Sequence, residues 1–301
     1  MNVLITGGSG FIGSHLVDKL LDAGHKVTLV DRSIKHENLP EHNSNLKLYH
    51  ENIFDNIAIL FTDIDVVYHL AALTRPQWSI KYPYETTETN VLGTLRILEH
   101  ARNNDVKRFV FISSSDLYGD VDIYPTPEDV IPNPLNTYAL SKLVCEQYIE
   151  LYHKLYGLEY NIIRPFNVYG PRMPLTGIYT SAVAAFINNL KNNQPFKIFG
   201  TGEQERDFVY IDDMADMLMT LGTSEVKNEI FNCGSGAKNS INEIASLIQN
   251  IVARKADIER LPAQFEKKQT LADMSKAEKL LGWKPKVSLE EGLRLTIKQT
   301  I

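Results

Sequence analysis

Cysteine is nearly missing from this chain. Cys145 and Cys233 are the only two in 301 residues, which excludes a disulfide framework and gives no metal-site spacing. Each is expected to be a plain buried thiol, Cys145 on a helix and Cys233 near the end of a strand. Positive charge is outnumbered: 31 Lys and Arg against 37 Asp and Glu leave a net charge of −6. Nucleic-acid backbones are bound by basic patches, so that class of partner is excluded. No apolar run approaches the roughly 20 residues of a membrane span. The first strand-like run begins two residues from Met1, so no signal peptide fits, and a cytoplasmic protein is expected. Internal repeats and low-complexity segments are also lacking. What remains is ordinary core material, 44% hydrophobic and 23% charged. That is enough for one large domain or two tightly joined ones.

The most informative stretch is Val3-Leu4-Ile5-Thr6-Gly7-Gly8-Ser9-Gly10-Phe11-Ile12-Gly13. An apolar β run breaks into glycines three apart, and an amphipathic helix follows over Ser14–Ala23. A second apolar run, Lys26–Val30, ends in Asp31. Strand, glycine loop, helix, strand and acid form the dinucleotide-binding fingerprint in its required context. Gly7 allows the tight turn, Gly10 lets the chain approach a pyrophosphate, and Gly13 lets helix and strand pack closely. The helix N-terminus holds phosphate charge, and Asp31 is placed to accept a hydrogen bond from the adenosine ribose. A carboxylate there repels a 2′-phosphate, so NAD is expected rather than NADP. Arg32 beside it reads as a solvated charge stacking on adenine.

Further strands are expected at Leu46–His50, Val66–Leu70, Arg108–Ser113 and Tyr160–Arg164, and further helices at Asn56–Phe61, Thr89–Asn103 and Pro134–Tyr156. Alternation of this kind predicts an α/β fold, a Rossmann-type doubly wound parallel sheet, over residues 1–166. Beyond Asn167 the pattern is less regular. Helices are expected at Thr180–Asn192, Asp212–Leu221, Ile241–Val252 and Leu289–Thr300, and strands at Lys197–Phe199 and Glu229–Asn232. Residues 206–233 are expected to return to the first domain. Residues 167–205 and 234–301 would form a smaller, mixed α/β substrate-binding region. Ligands of such sheets bind outside the carboxyl ends of the strands.

At one such end, Phe109–Ile112 runs into Ser113-Ser114-Ser115-Asp116. Within the helix that follows, Tyr138 and Lys142 are four residues apart and share a face. An ammonium beside a phenol favours the phenolate and lowers its pKa from about 10, which makes a usable base. A serine at a strand end can hold the same substrate oxygen.

With those residues in view, the chain resembles the extended short-chain dehydrogenase/reductases, specifically the NAD-dependent nucleotide-sugar epimerase/dehydratase group. The resemblance runs through the glycine loop, His69-Leu70-Ala71-Ala72, Asn90-Val91-Leu92-Gly93-Thr94 and Ser113–Gly119, then Tyr138-x-x-x-Lys142. It continues through Arg164–Arg172, Arg206–Tyr210, Ala272–Ala277 and Leu280–Trp283. It implies that Ser114 is the catalytic serine, Tyr138 the base and Lys142 the residue orienting the nicotinamide ribose. It places Gly7, Gly10, Phe11, Ile12, Gly13, Asp31 and Arg32 on NAD, with Asn52 and Ile53 at the adenine. Leu70, Ala71, Ala72, Asn90, Ser113 and Phe166 complete the cofactor contacts. It places Asn167, Arg172 and Arg206 on the nucleotide-diphosphate part of the substrate, with Ser114 and Asp116 at the sugar. No metal is implied. A homodimer is, through a four-helix bundle of Thr89–Asn103 and Pro134–Tyr156, with Leu92, Leu95, Leu143 and Tyr148 available to the seam.

One departure stands out. Where many epimerases carry an Arg-x-Gly-Asp segment whose arginine binds the diphosphate, this chain reads Ala263-Gln264-Phe265-Glu266. Arg260 upstream is the candidate substitute, and Arg75 is a candidate for the sugar. The shared chemistry is oxidation of a sugar hydroxyl to a 4-keto sugar. Epimerisation, most simply of a UDP-hexose at its 4-position, is the preferred reading, with Asp116 capping the following turn. A 4,6-dehydratase or a UDP-glucuronate decarboxylase using Asp116 is the alternative. A non-catalytic NAD-binding regulator and an NADPH-dependent ketoreductase are further ones, disfavoured by the presence of Tyr138 with Lys142 and of Asp31 respectively.

Overall fold

A computed structural model describes residues 1–177, 180–263 and 267–301. Its frame is a seven-stranded sheet. Five strands alternate with helices from the N-terminus: β1 (Asn2–Thr6), β2 (Lys26–Asp31), β3 (Leu46–His50), β4 (Val66–His69) and β5 (Arg108–Ile112). β6 (Glu159–Pro165) follows, and β10 (Glu229–Cys233) arrives from much later in the chain. The order is β10-β6-β5-β4-β1-β2-β3, and every pairing in it is parallel. The strand order reverses direction between β1 and β4, which opens a crevice at their carboxyl ends.

The buried strands sort their side chains by the two-residue period of extended chain. Val3 and Ile5 of β1, Val66 and Tyr68 of β4, and Val110 and Ile112 of β5 point to one face. There they meet Leu16 and Leu20 of α1 (Phe11–Asp22) and Met214 and Leu218 of α7 (Ile211–Thr223). Leu4, Val67, Phe109 and Phe111 point to the other face. They meet Ile97 and Leu98 of α4 (Gly93–Asn103) and Cys145 and Ile149 of α5 (Thr137–Tyr156). The result is the three-layer α/β architecture expected from the alternation.

Two short helices were not among the expected elements, α2 (Pro76–Lys81) and α3 (Pro83–Thr87). Each opens on a proline, which suits the first helical position because its missing N–H has no partner there in any case. α3 continues through a wide π turn, Glu88–Leu92, into α4. The expected helix at Asn56–Phe61 is a single turn at Ala58–Phe61.

The C-terminal region carries two small sheets. β7 (Asn167–Tyr169), β9 (Glu205–Tyr210) and β11 (Lys238–Ser240) form one, and β8 (Phe196–Phe199) with β12 (Ile258–Leu261) the other. Around them lie α6 (Ala182–Lys191), α8 (Ile241–Val252), α9 (Ser275–Leu281) and α10 (Leu289–Thr300). β10 joins the main sheet and α7 packs on its face, while β9 belongs to the small sheet. Cys145 and Cys233 are both buried free thiols.

Candidate active site

The carboxyl ends of β1 to β6 surround a cavity of about 730 Å³. One end is bordered by Asp31 and Arg32 after β2 and by Asn52 and Ile53 after β3. The glycine loop, with Gly7, Gly10, Phe11, Ile12 and Gly13, forms the floor with Leu70, Ala71 and Ala72 after β4. The far end is bordered by Ser113, Ser114, Tyr138, Lys142 and Phe166.

Local geometry explains why small residues line the floor. Gly7 has φ +71°, and a Cβ there would stand 2.8 Å from the Ala71 nitrogen. At Gly13 a Cβ would stand 2.6 Å from the Gly7 oxygen. Helix α1 therefore starts against the loop itself, and no side chain caps its N-terminus. The first N–H groups of α1 are thus left for an anion. The Asp31 carboxylate takes hydrogen bonds from the Ser9 hydroxyl at 2.7 Å and the Ser9 N–H at 3.2 Å. That holds the acid at the rim. Ser113 Oγ is buried with no hydrogen-bond partner among the described residues. Glycine cradle, uncapped helix, rim acid and orphan hydroxyl together fit a bound dinucleotide.

At the far end the phenol of Tyr138 is buried. Desolvation pushes its pKa well above the ordinary value, the Asp116 carboxylate adds to the rise, and a hydrogen bond with the Ser114 hydroxyl works against it. Lys142 was expected to depress the phenol. Its ammonium instead donates to the Ile112 carbonyl at 2.7 Å and lies 4.6 Å from the centre of the Phe111 ring. Burial brings Lys142 itself down to about 8. The lysine is spent on a strand end, so what favours the phenolate within the protein is Ser114.

Several residues assigned by resemblance are held by partners within the protein. Asn90 does not border the cavity. Its amide spans Leu73, accepting from the N–H at 2.8 Å and donating to the carbonyl at 3.0 Å, and also donates to Ser141 Oγ at 2.9 Å. It braces the loop after β4 against α5. Arg172 pairs with Asp18 of α1 at 2.8 Å, and Asn167 donates to the Asp207 carbonyl at 2.9 Å. Arg206 donates to the Glu205 carbonyl at 2.9 Å. Arg260 donates to the Thr201 carbonyl at 2.6 Å and to Asn242 at 3.0 Å. None of these four borders the cavity. The turn after β5 is capped by Ser114, whose hydroxyl accepts from the Asp116 N–H. Asp116 was expected in that role, but its carboxylate faces Lys267 at 3.6 Å. Gln264, Phe265 and Glu266 of the departing segment fall outside the described residues.

The cavity also has borders that the sequence reading passed over: Lys35, Glu51, Trp78, Glu85 and Thr89. Trp78 and Glu85 belong to α2 and α3, which proline concealed. Arg75, a candidate for the sugar, does border the cavity.

The model of the NAD-dependent epimerase/dehydratase family matches residues 3–234. The chain belongs to that family. It is 40% identical to a putative UDP-glucose 4-epimerase of Methanocaldococcus jannaschii, over 98% of this chain and 97% of the relative. The UDP-glucose 4-epimerase of Thermotoga maritima, solved with UDP-glucose, superimposes with a TM-score of 0.94 at 38% identity, covering 99% of this chain and 98% of that one. The UDP-glucuronic acid 4-epimerase of Bacillus cereus, solved with UDP-glucuronic acid and NAD, gives a TM-score of 0.92 at 34% identity. It covers 100% of this chain and 99% of the other. The cofactor of this family member is NAD.

Proposed function

We infer that the protein is an NAD-dependent nucleotide-sugar 4-epimerase, with a UDP-hexose as substrate. The observation that carries the reading is the convergence of Ser114, Tyr138 and Lys142 at the end of a cavity whose opposite end holds Asp31. NAD, when bound, supplies a hydride acceptor and then a hydride donor. Tyr138 Oη takes the proton of the sugar hydroxyl and later returns one. Ser114 Oγ, which borders the same end of the cavity as the phenol, holds the substrate oxygen during the exchange. Lys142 is fixed by the Ile112 carbonyl at the cofactor side. The buried setting of all three excludes water and strengthens each hydrogen bond. Relatives acting on UDP-glucose and on UDP-glucuronic acid support a UDP-sugar.

Dehydration or decarboxylation would use Asp116 as a working group in the cavity. Asp116 is near enough to Tyr138 to act on its phenol, and its carboxylate is paired with Lys267 at 3.6 Å; that pairing favours epimerisation. A homodimer through α4 and α5 is supported by an exposed apolar stripe on α5, where Leu140, Leu151 and Leu155 are 49%, 44% and 60% exposed. The two reduced thiols suit the cytoplasm.

The test is product analysis by NMR with NAD and, separately, UDP-glucose, UDP-N-acetylglucosamine and UDP-glucuronate. Inversion at the sugar's 4-position with no loss of water or carbon dioxide is expected. A 4-keto-6-deoxy sugar or a pentose would overturn the epimerase. Tyr138→Phe is expected to lower turnover at least ~100-fold while NAD stays bound, and an active variant would remove Tyr138 as the base.

A further inference from the structure

α2 has no part in the chemistry above, yet it touches both the base and the cavity. Helix α5 begins at Thr137, and the N–H groups of its first turn have no partner inside the helix. Asn136 Oδ1 accepts from Ala139 at 2.9 Å. The Tyr138 N–H goes outside the helix, donating to Ser79 Oγ at 3.0 Å. The Ser79 hydroxyl in turn donates to the Pro76 carbonyl at 2.7 Å. Ser79 is 0% exposed, so water cannot replace it. The backbone of the catalytic tyrosine is thereby pinned to α2 through one buried hydroxyl.

The preceding residue, Trp78, borders the cavity. Its indole packs on Tyr82 with ring centres 4.2 Å apart. Its Nε1 is buried without a partner among the described residues. Buried N–H groups are rarely left unpaired, and a small turn of the indole toward the cavity would let an acceptor oxygen of a ligand satisfy this one. Trp78 and Ser79 are neighbours on one short helix, so displacement of one moves the other.

We propose that α2 both recognises the nucleotide sugar and sets the catalytic base: Trp78 Nε1–H donates to an acceptor oxygen of the sugar, and Ser79 is a positioning residue that fixes Tyr138. This rests on Tyr138 being the base, and the Tyr138→Phe measurement tests that separately.

The experiment uses the NAD-loaded enzyme with the nucleotide sugar it turns over. Ser79→Ala is expected to lower kcat about tenfold to a hundredfold, the scale of a small misplacement of a catalytic group. It should also move the midpoint of the pH–rate profile while leaving NAD affinity unchanged. Ser79→Cys, which keeps the volume and weakens the acceptor, should fall between wild type and Ser79→Ala, and it decides the matter if the alanine variant does not fold. Trp78→Phe keeps a ring and removes the N–H. It is expected to raise KM for the sugar about three- to tenfold with kcat little changed. Wild-type kcat and pH profile in the Ser79 variants, with only a lower melting temperature, would reduce Ser79 to a structural cap and overturn the positioning role. An unchanged KM in Trp78→Phe would overturn the recognition role.

Discussion

Asp31 and His69 show how much a single side chain decides here. Asp31 ends β2 at the cavity rim, held by Ser9. Asp31→Ala is expected to weaken NAD binding about ten- to a hundredfold, the worth of a hydrogen bond to a charged group, and to leave NADP binding far less affected. Titration calorimetry with both cofactors checks this, and equal losses would remove the ribose contact. His69 sits in a buried chain between the Thr6 hydroxyl at 2.7 Å and the Thr94 hydroxyl at 2.9 Å. Desolvation first, and the charge of Lys142 second, bring its pKa down to about 3. Between that value and the unfolded value near 6.5, the unfolded chain binds a proton that the folded chain does not. Stability contributed by the neutral ring is therefore complete above pH 6.5 and is lost as pH falls toward 3, at about 1.4 kcal/mol per pH unit. Denaturant midpoints measured from pH 7 to pH 4 should show this slope, and His69→Gln should flatten it. Asp31 was legible because its spacing from the glycine loop is fixed by one strand–helix–strand unit. The setting of His69 was not, because its partners come from β1 and α4, sixty-three and twenty-five residues away.

At the scale of elements, α5 carries Tyr138, the proposed base, and Lys142, and is locked to β6 by a buried pair. Arg164 Nε and Nη2 reach the two oxygens of Glu146 at 3.0 and 2.6 Å. Arg164 Nη1 donates to the Tyr118 hydroxyl at 3.0 Å, and that hydroxyl donates to Asn232 Oδ1 at 2.7 Å. Both charges are almost wholly buried. Removing one partner strands the other, so Glu146→Leu is expected to cost about 3–5 kcal/mol in urea denaturation. Glu146→Leu with Arg164→Met should recover much of that loss, since an apolar pair leaves no stranded charge. Failure of the double variant to recover would mean that the Tyr118 and Asn232 bonds carry the stability instead. Most long elements were readable from their periodicity. α2 and α3 were not, because proline marks a helix start and a helix break alike.

For the whole molecule, the apolar stripe on α5 turns into a statement about assembly. Leu151→Glu with Leu155→Glu is expected to give a monomer by light scattering while the fold survives, since both side chains are exposed in the single chain. A monomeric wild type, or a variant that stays dimeric, would overturn the seam proposed on α5. The C-terminal region is held to the rest by Asp207 of β9. Its buried carboxylate accepts from the Ser235 N–H and hydroxyl at 2.6 and 2.7 Å, the Gly236 N–H at 3.1 Å and the Ala272 N–H at 3.0 Å. One side chain thus ties β9, the loop after β10 and the segment before α9 together.

The sequence by itself determined the parallel sheet and the glycine loop, and it set Tyr138 and Lys142 on one helix face, while Ser114 was named by the family resemblance. Each of the first three follows from local pattern: strands alternating with helices, glycines three apart, a tyrosine and a lysine one helical turn apart. Only the tertiary structure decided how the charges are used. It gave Lys142 to the Ile112 carbonyl, Arg172 to Asp18, Arg260 to the turn at Thr201 and Asp116 to Lys267. It also brought α2 against the base, through Ser79 and Tyr138, fifty-nine residues apart. A charged side chain takes whichever partner the fold sets beside it, and that choice lies in contacts between distant segments that no local pattern encodes.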